Sequence, residues 1–151
     1  MRITKRTNIA IRLLMYCAVH SPRLVTKSEI AACCNISENH LAQVTNQLGQ
    51  LGYLHTQRGR KGGITLARPA NKIRIGDVFR RIEAALPLAE CFASGENTCP
   101  LVSACRLRLA LVDAAEAFYA HLDTITLDAL LCGNDEIMAL LKPVQVTCPV
   151  D

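Results

Sequence analysis

The chain has 151 residues, half of them hydrophobic, with a formal net charge of +4 and eight cysteines. That length suits one compact domain or a small domain plus an appendage, and no apolar run is long enough to span a bilayer. The opening MRITKRTNIAIRLLMYCAVH lacks the small-residue cleavage site of a signal peptide, so the thiols point to a reducing cytoplasm and to metal or redox use, not to a disulfide framework.

Residues 4–20 repeat Ile9, Leu13, Tyr16 and Cys17 at helical spacing, with Ala10 and Leu14 beside them, and Pro22 stops this helix. Thr26 and Glu29 form a capping box that opens a short second helix, TKSEIAACC. Asn35 makes the turn. Ser37 is placed to cap a third helix, ENHLAQVTNQLGQLGY, with Leu41, Val44, Leu48 and Leu51 on its inner face. Tyr53, Leu54 and His55 begin an extended stretch, Gly59, Gly62 and Gly63 supply a turn, and Ile64, Thr65 and Leu66 return as a β-hairpin. Short helix, turn, capped helix and basic hairpin together predict a winged helix-turn-helix.

Residues 1–75 hold twelve Lys and Arg against two acids, a charge of +10, while residues 76–151 hold five against eleven, a charge of −6. This asymmetry suits a nucleic-acid module joined to a sensing or assembly module. The third helix has no Lys or Arg between Glu38 and Tyr53. Its outer face offers Asn39, His40, Gln43, Asn46 and Gln47, groups that can hydrogen-bond base edges, with Ser37 at its start. The grip on phosphate then falls to Arg2, Lys5, Arg6 and Lys27, and to Arg58, Arg60, Lys61 and Arg68 of the hairpin. The expected partner is double-stranded DNA.

The second half opens on IRIGDVFRRIEAAL, a helix with Ile75, Val78, Phe79 and Ile82 inward and Pro87 at its end. The stretch ECFASGENTCPLVSACRLRLAL follows, in which seven residues separate Cys91 from Cys99 and five separate Cys99 from Cys105. Thiolates this close can converge on one soft metal centre, and a loop can wrap such a centre where a helix cannot. The two tight CxxC knuckles of a zinc ribbon are absent. Three thiolates without a fourth suggest an iron–sulfur cluster, or a site completed from elsewhere. The helix ACRLRLALVDAAEAFYAHL carries two apolar stripes, Leu107, Leu111, Ala114, Phe118 and Leu122 in one, Leu109, Val112, Ala115 and Tyr119 in the other. Two stripes exceed what so small a domain covers, so a homodimer through this helix is expected. Residues 126–132 read as a short closing helix, and the chain from Cys132 onward as a weakly specified tail. Cys17, Cys33 and Cys34 read as core thiols, and Cys132 and Cys148 as tail residues without an assigned role.

The predicted fold class is mainly α with a small β-hairpin wing: a winged helix-turn-helix plus a long dimerisation helix. Residues 1–75 form the DNA-binding domain, 76–135 the cluster-binding loop and dimerisation helix, and 136–151 a C-terminal tail. MRITKRTNIAIRLLMY, RGRKGGITLARP, IRIGDVFRRIE and ECF…CPLVSACRLRLAL…AFYAHLDTITLDAL resemble the small winged-helix regulators of bacteria that carry an iron–sulfur cluster, among them NsrR, IscR and RirA. The resemblance implies homodimeric DNA binding and a response to nitric oxide, iron or cluster supply. It places the cluster ligands at Cys91, Cys99 and Cys105, the recognition helix at residues 37–50 and the wing at 58–63. IscR-like members put a histidine ligand where this chain has Arg108. Some NsrR members complete a 4Fe–4S cluster with an aspartate of the partner's first helix, and the matching position is Asn8, a poorer iron ligand. The resemblance favours a nitric-oxide-sensing repressor with a 4Fe–4S cluster, 2Fe–2S being the other form, and an iron-responsive RirA-like regulator as the second reading.

Two other classes fit less well. An electron-transfer or cluster-carrier protein would use the cysteines but needs neither a Gly-rich wing nor an uncharged capped helix. A hydrolytic enzyme would need a nucleophile elbow, a phosphate loop or HExxH, and none occurs.

Overall fold

The computed structural model describes residues 3–83, 89–92 and 97–142. Arg2, Pro87 and Cys148 lie outside them. Helix α1, Lys5–Val19, begins at Thr4, whose hydroxyl accepts from the Thr7 amide at 3.2 Å. Its apolar stripe of Ile9, Leu13, Tyr16 and Cys17 is buried as the spacing predicts. Helix α2, Lys27–Cys34, carries both bonds of the capping box: Thr26 N–H donates to Glu29 at 2.7 Å, and Glu29 N–H donates to Thr26 Oγ1 at 3.2 Å. Asn35 follows in the left-handed region, φ 50°, and turns the chain into α3, Glu38–Gln50. Leu41, Val44 and Leu48 bury the inner face of α3 against α1. Each such side chain contributes about 1.5–3 kcal/mol through burial.

Strands β1, Leu54–Gln57, and β2, Gly63–Leu66, pair antiparallel, Leu54 opposite Leu66 and Gln57 opposite Gly63. Gly59 turns the hairpin at φ 106°, a conformation that side-chain-bearing residues rarely adopt. The base of the wing is fastened to the next helix, α4, Ile75–Glu83, by Tyr53 O–H donating to Asp77 at 2.5 Å.

Helix α5, Arg106–Asp123, lies on α4. The two approach to backbone contact at Gly76, where a Cβ would stand 2.7 Å from the Tyr119 carbonyl and collide with the Asp123 carboxylate. Around this point Phe79 meets Phe118 at 6.1 Å between ring centres, and Arg80 pairs with Asp123 at 2.6 Å while stacking on Tyr119. The C-terminal half of α5 is thus covered by α4. Its N-terminal half is not, and Leu107 and Leu109 are 67% and 62% exposed. The closing segment is a single 3₁₀ turn, Asp128–Leu130, flanked by Leu127 and Leu131 in the core.

The stretch expected to be a weakly specified tail holds one helix. Helix α6, Asp135–Leu140, is capped by Asn134 accepting from Ile137 N–H at 3.1 Å. Ile137, Met138 and Leu141 lean on the core. Its last carbonyls are received by the first half of the chain: Cys33 Sγ donates to Leu140 O at 3.3 Å, and His20 Nε2 lies 2.9 Å from Leu141 O. No described helix is long and apolar enough to cross a membrane.

Candidate nucleic-acid interface and cysteine loop

Of the described residues expected to touch DNA, Lys5, Arg6, Lys27, Ser37, Asn39, His40, Gln43, Asn46, Arg58, Arg60 and Lys61 are exposed, while Gln47 and Arg68 are half-buried. The described ion pairs, Arg23–Glu29, Arg80–Asp123 and Arg81–Asp77, leave all the basic members of this set free. Of the exposed residues, Lys5, Lys27, Ser37, His40, Asn46 and Arg58 line two clefts, and Arg6, Asn39, Gln43, Arg60 and Lys61 line neither. One, of about 480 Å³, is lined by Thr26, Lys27, Asn46, Arg58 and Gly59, where the start of α2 and the face of α3 meet the wing. The other, of about 1040 Å³, joins the first turns of α1 and α3 through Lys5, Asn8, Arg12, Ser37 and His40. Ser37 stands at the N-cap of α3 as expected, but its hydroxyl bonds His40 Nδ1 at 2.8 Å instead of an α3 amide. That bond fixes the imidazole at the helix start. Arg68 is drawn away from the wing surface: it donates to Gly52 O at 3.0 Å and stacks on Tyr53.

The three loop cysteines occupy three separate stretches of the loop region. Cys91 sits in the 3₁₀ turn Glu90–Phe92, the Cys99 N–H donates to Asn97 Oδ1 at 3.0 Å, and Cys105 precedes α5 at its N-cap position. Long-range bonds stitch these stretches together. Glu90 accepts from Thr98 N–H at 2.9 Å and Thr98 O–H at 2.7 Å, while Arg108 Nε donates to Cys91 O at 3.3 Å and its guanidinium stacks over Phe92. All three thiols are free and half-buried. Among the described residues no three His, Cys, Asp or Glu side chains form a ready-made metal site. The sulfur donors are of the kind a soft metal centre takes, but the three do not converge on one point in this structure.

The remaining described cysteines differ in kind. Burial pushes the Cys17 thiol up to about 12 and Cys34 up to about 11, which keeps both protonated and inert. Asn8 is exposed and lines the α1–α3 cleft with none of the cysteines of its own chain.

Sequence reasoning missed one polar junction. Glu83, the last residue of α4, accepts at Oε1 from Thr4 N–H at 3.0 Å, from Thr4 O–H at 2.8 Å and from the Thr7 hydroxyl. Burial works against its ionisation, but the bonds from Thr7 and Thr4 outweigh it and hold the carboxyl below its usual range. The partners lie 79 and 76 residues away, so no local pattern announces them.

The chain resembles several known proteins. A family model, Rrf2, described as an iron-dependent transcriptional regulator, matches residues 3–133. The HTH-type transcriptional regulator NsrR of Geobacillus kaustophilus (strain HTA426) is 44% identical over 143 residues, 94% of this chain and 97% of its own. Protein aau3 of Rhizobium meliloti (strain 1021) is 43% identical over 141 residues, 93% of this chain and 92% of its own. The structure of IscR from T. potens superposes with a TM-score of 0.69 at 22% identity, covering 91% of this chain and 90% of that one, a likeness of fold.

Proposed function

The chain belongs to the Rrf2 family of transcription regulators, and from that premise we propose that it is a DNA-binding repressor sensing nitric oxide through an iron–sulfur cluster on Cys91, Cys99 and Cys105. The observation that carries this reading is the stitching of three cysteine-bearing stretches at the head of α5, by Glu90 to Thr98 and by Arg108 to Cys91. Arg108 supports it further: this side chain, at the place of a histidine ligand in IscR-like relatives, here organises the loop. When bound, the cluster supplies an iron centre that nitric oxide attacks, with the four-iron form favoured over the two-iron form. Asn8 of the partner subunit, a neutral amide on the first helix, would be a weak fourth ligand.

The uncovered half of α5 would pack on a second copy of the chain, giving a two-fold dimer. Its two α3 helices would then enter successive major grooves, about 34–36 Å apart. The cations of α1, α2 and the wing hold phosphate, and Asn39, His40 and Gln43 read base edges. Loosening of the cysteine turns changes how α5 meets its twin and so the spacing of the recognition helices.

The test is the visible spectrum of protein purified without oxygen. Cys91→Ala, Cys99→Ala and Cys105→Ala should each abolish the iron–sulfur absorbance, while Cys17→Ala and Cys148→Ala keep it. Nitric oxide should bleach the native protein and release it from DNA. Release by an iron chelator with no response to nitric oxide would assign an iron-responsive regulator instead. Colour retained in Cys99→Ala would refute the three-thiolate site.

A further inference from the structure

Helices α1 and α2 begin in different ways. The N-terminus of α2 is closed locally, by Thr26 and Glu29 three residues apart. That of α1 has a threonine at the cap and a second threonine, Thr7, where a capping box would have its acid. The missing carboxylate comes from Glu83 of α4, which takes all three donors of the junction on one oxygen. Thr7 is fully buried there. A negative charge in this place also complements the positive end of α1, whose first turn carries Lys5 and Arg6. The first turn of α1 is therefore held by the far half of the chain.

That far half is one packed body reaching to the cysteine turns. Cys105 stands at the N-cap position of α5, Arg108 holds Cys91, and α5 meets α4 at Gly76 without room for a side chain. Arg80 bridges from α4 to Asp123 of α5 three residues before Glu83. A shift of α5 therefore moves α4, and with it the carboxylate on which α1 begins. Resting on the function proposed above, we propose that Glu83 is a positioning residue: it ties the state of the cysteine loop to the placement of Lys5 and Arg6 against DNA.

The experiment compares native protein, Glu83→Gln, Glu83→Ala and Glu29→Gln, each with its cluster and after the cluster is removed. Glu29→Gln makes the same chemical change in the local box of α2, which no described bond wires to the loop. Two quantities are read: the ratio of DNA affinities between the two states, and hydrogen exchange of the Thr4 and Thr7 amides in each. Glu83→Gln should keep the visible absorbance but reduce the affinity ratio by about tenfold, within the usual range of coupling between sites. Its Thr4 and Thr7 amides should exchange alike in both states. Glu83→Ala should lose the ratio further, and Glu29→Gln should retain it. Should the Ala variant fail to fold, the Gln pair decides alone. A Glu83→Gln protein with the native ratio and native exchange response overturns the role of Glu83 and leaves the sensing function standing. So does an equal loss in Glu29→Gln, which would mean that any weakened cap has this effect. A native protein whose affinity ignores the cluster overturns both.

Discussion

Replacing Arg58, Arg60 and Lys61 together by alanine tests the wing as a phosphate grip. The three side chains are exposed and make none of the described ion pairs, so their loss should leave the melting temperature unchanged. With Lys5, Arg6 and Lys27 they make six exposed cations on the proposed DNA-binding surface that take part in none of the described ion pairs. Each neutralised phosphate adds about 0.9 to the slope of log affinity against log salt, giving about 5.4 for the native protomer and about 2.7 for the variant. Raising salt from about 50 to about 200 mM would then weaken the native protomer about 2000-fold and the variant about 40-fold. A two-fold dimer doubles both slopes. Fluorescence anisotropy on a labelled duplex of arbitrary sequence suffices, because the effect is independent of the operator. A slope unchanged in the triple variant would mean that the wing does not touch phosphate, and the assignment of residues 58–63 would fall.

Gln43→Ala should leave that slope intact and lower discrimination between operator and random duplex by about 1–3 kcal/mol for each base no longer read by the amide; competition binding with unaltered specificity would move the readout to another residue. Asn8→Asp should supply a charged oxygen to the partner's loop and slow the bleaching by nitric oxide, with Asn8→Ala close to native, as stopped-flow absorbance would show; a large loss of cluster in the alanine variant would make the amide a ligand after all. Glu29 and Glu83 both hold carboxyls below their ordinary value of 4.5, so their contribution to stability is complete above that pH and is lost as the pH falls through the lowered value. Melting temperatures should therefore drop on acidification below about pH 4.5, and more gently in Glu83→Gln; an equally steep drop in that variant would count against the Glu83–Thr4–Thr7 junction.

The elements legible in the sequence are those with local causes. The capping box of α2, the left-handed Asn35, the stripe of α3 and the glycine turn of the wing are each written within a few residues, and each is found. Helix α6 had a local signal too, Asn134 followed by Asp135 and Glu136 in its first turn, but one six-residue helix gives little periodicity to notice. Ser37 shows the opposite case: the cap position is right, yet the neighbouring imidazole of His40 outcompetes the amides for its hydroxyl. The cysteine turns are legible as three thiols, while the bonds that gather them, from Glu90 and Arg108, depend on how the loop closes. Glu83 and Asp77 were beyond reach for the same reason, since their partners Thr4, Thr7 and Tyr53 become neighbours only when α4 docks.

The docking of α6 bears on how the chain can be instrumented. The family match ends at residue 133, and α6 lies beyond it, yet Cys33 and His20 receive its terminal carbonyls. A fluorophore placed on Lys142 would therefore ride beside the ends of α1 and α2. Its emission would follow the helix-turn-helix as it engages DNA, with the α5 surface left unlabelled for assembly.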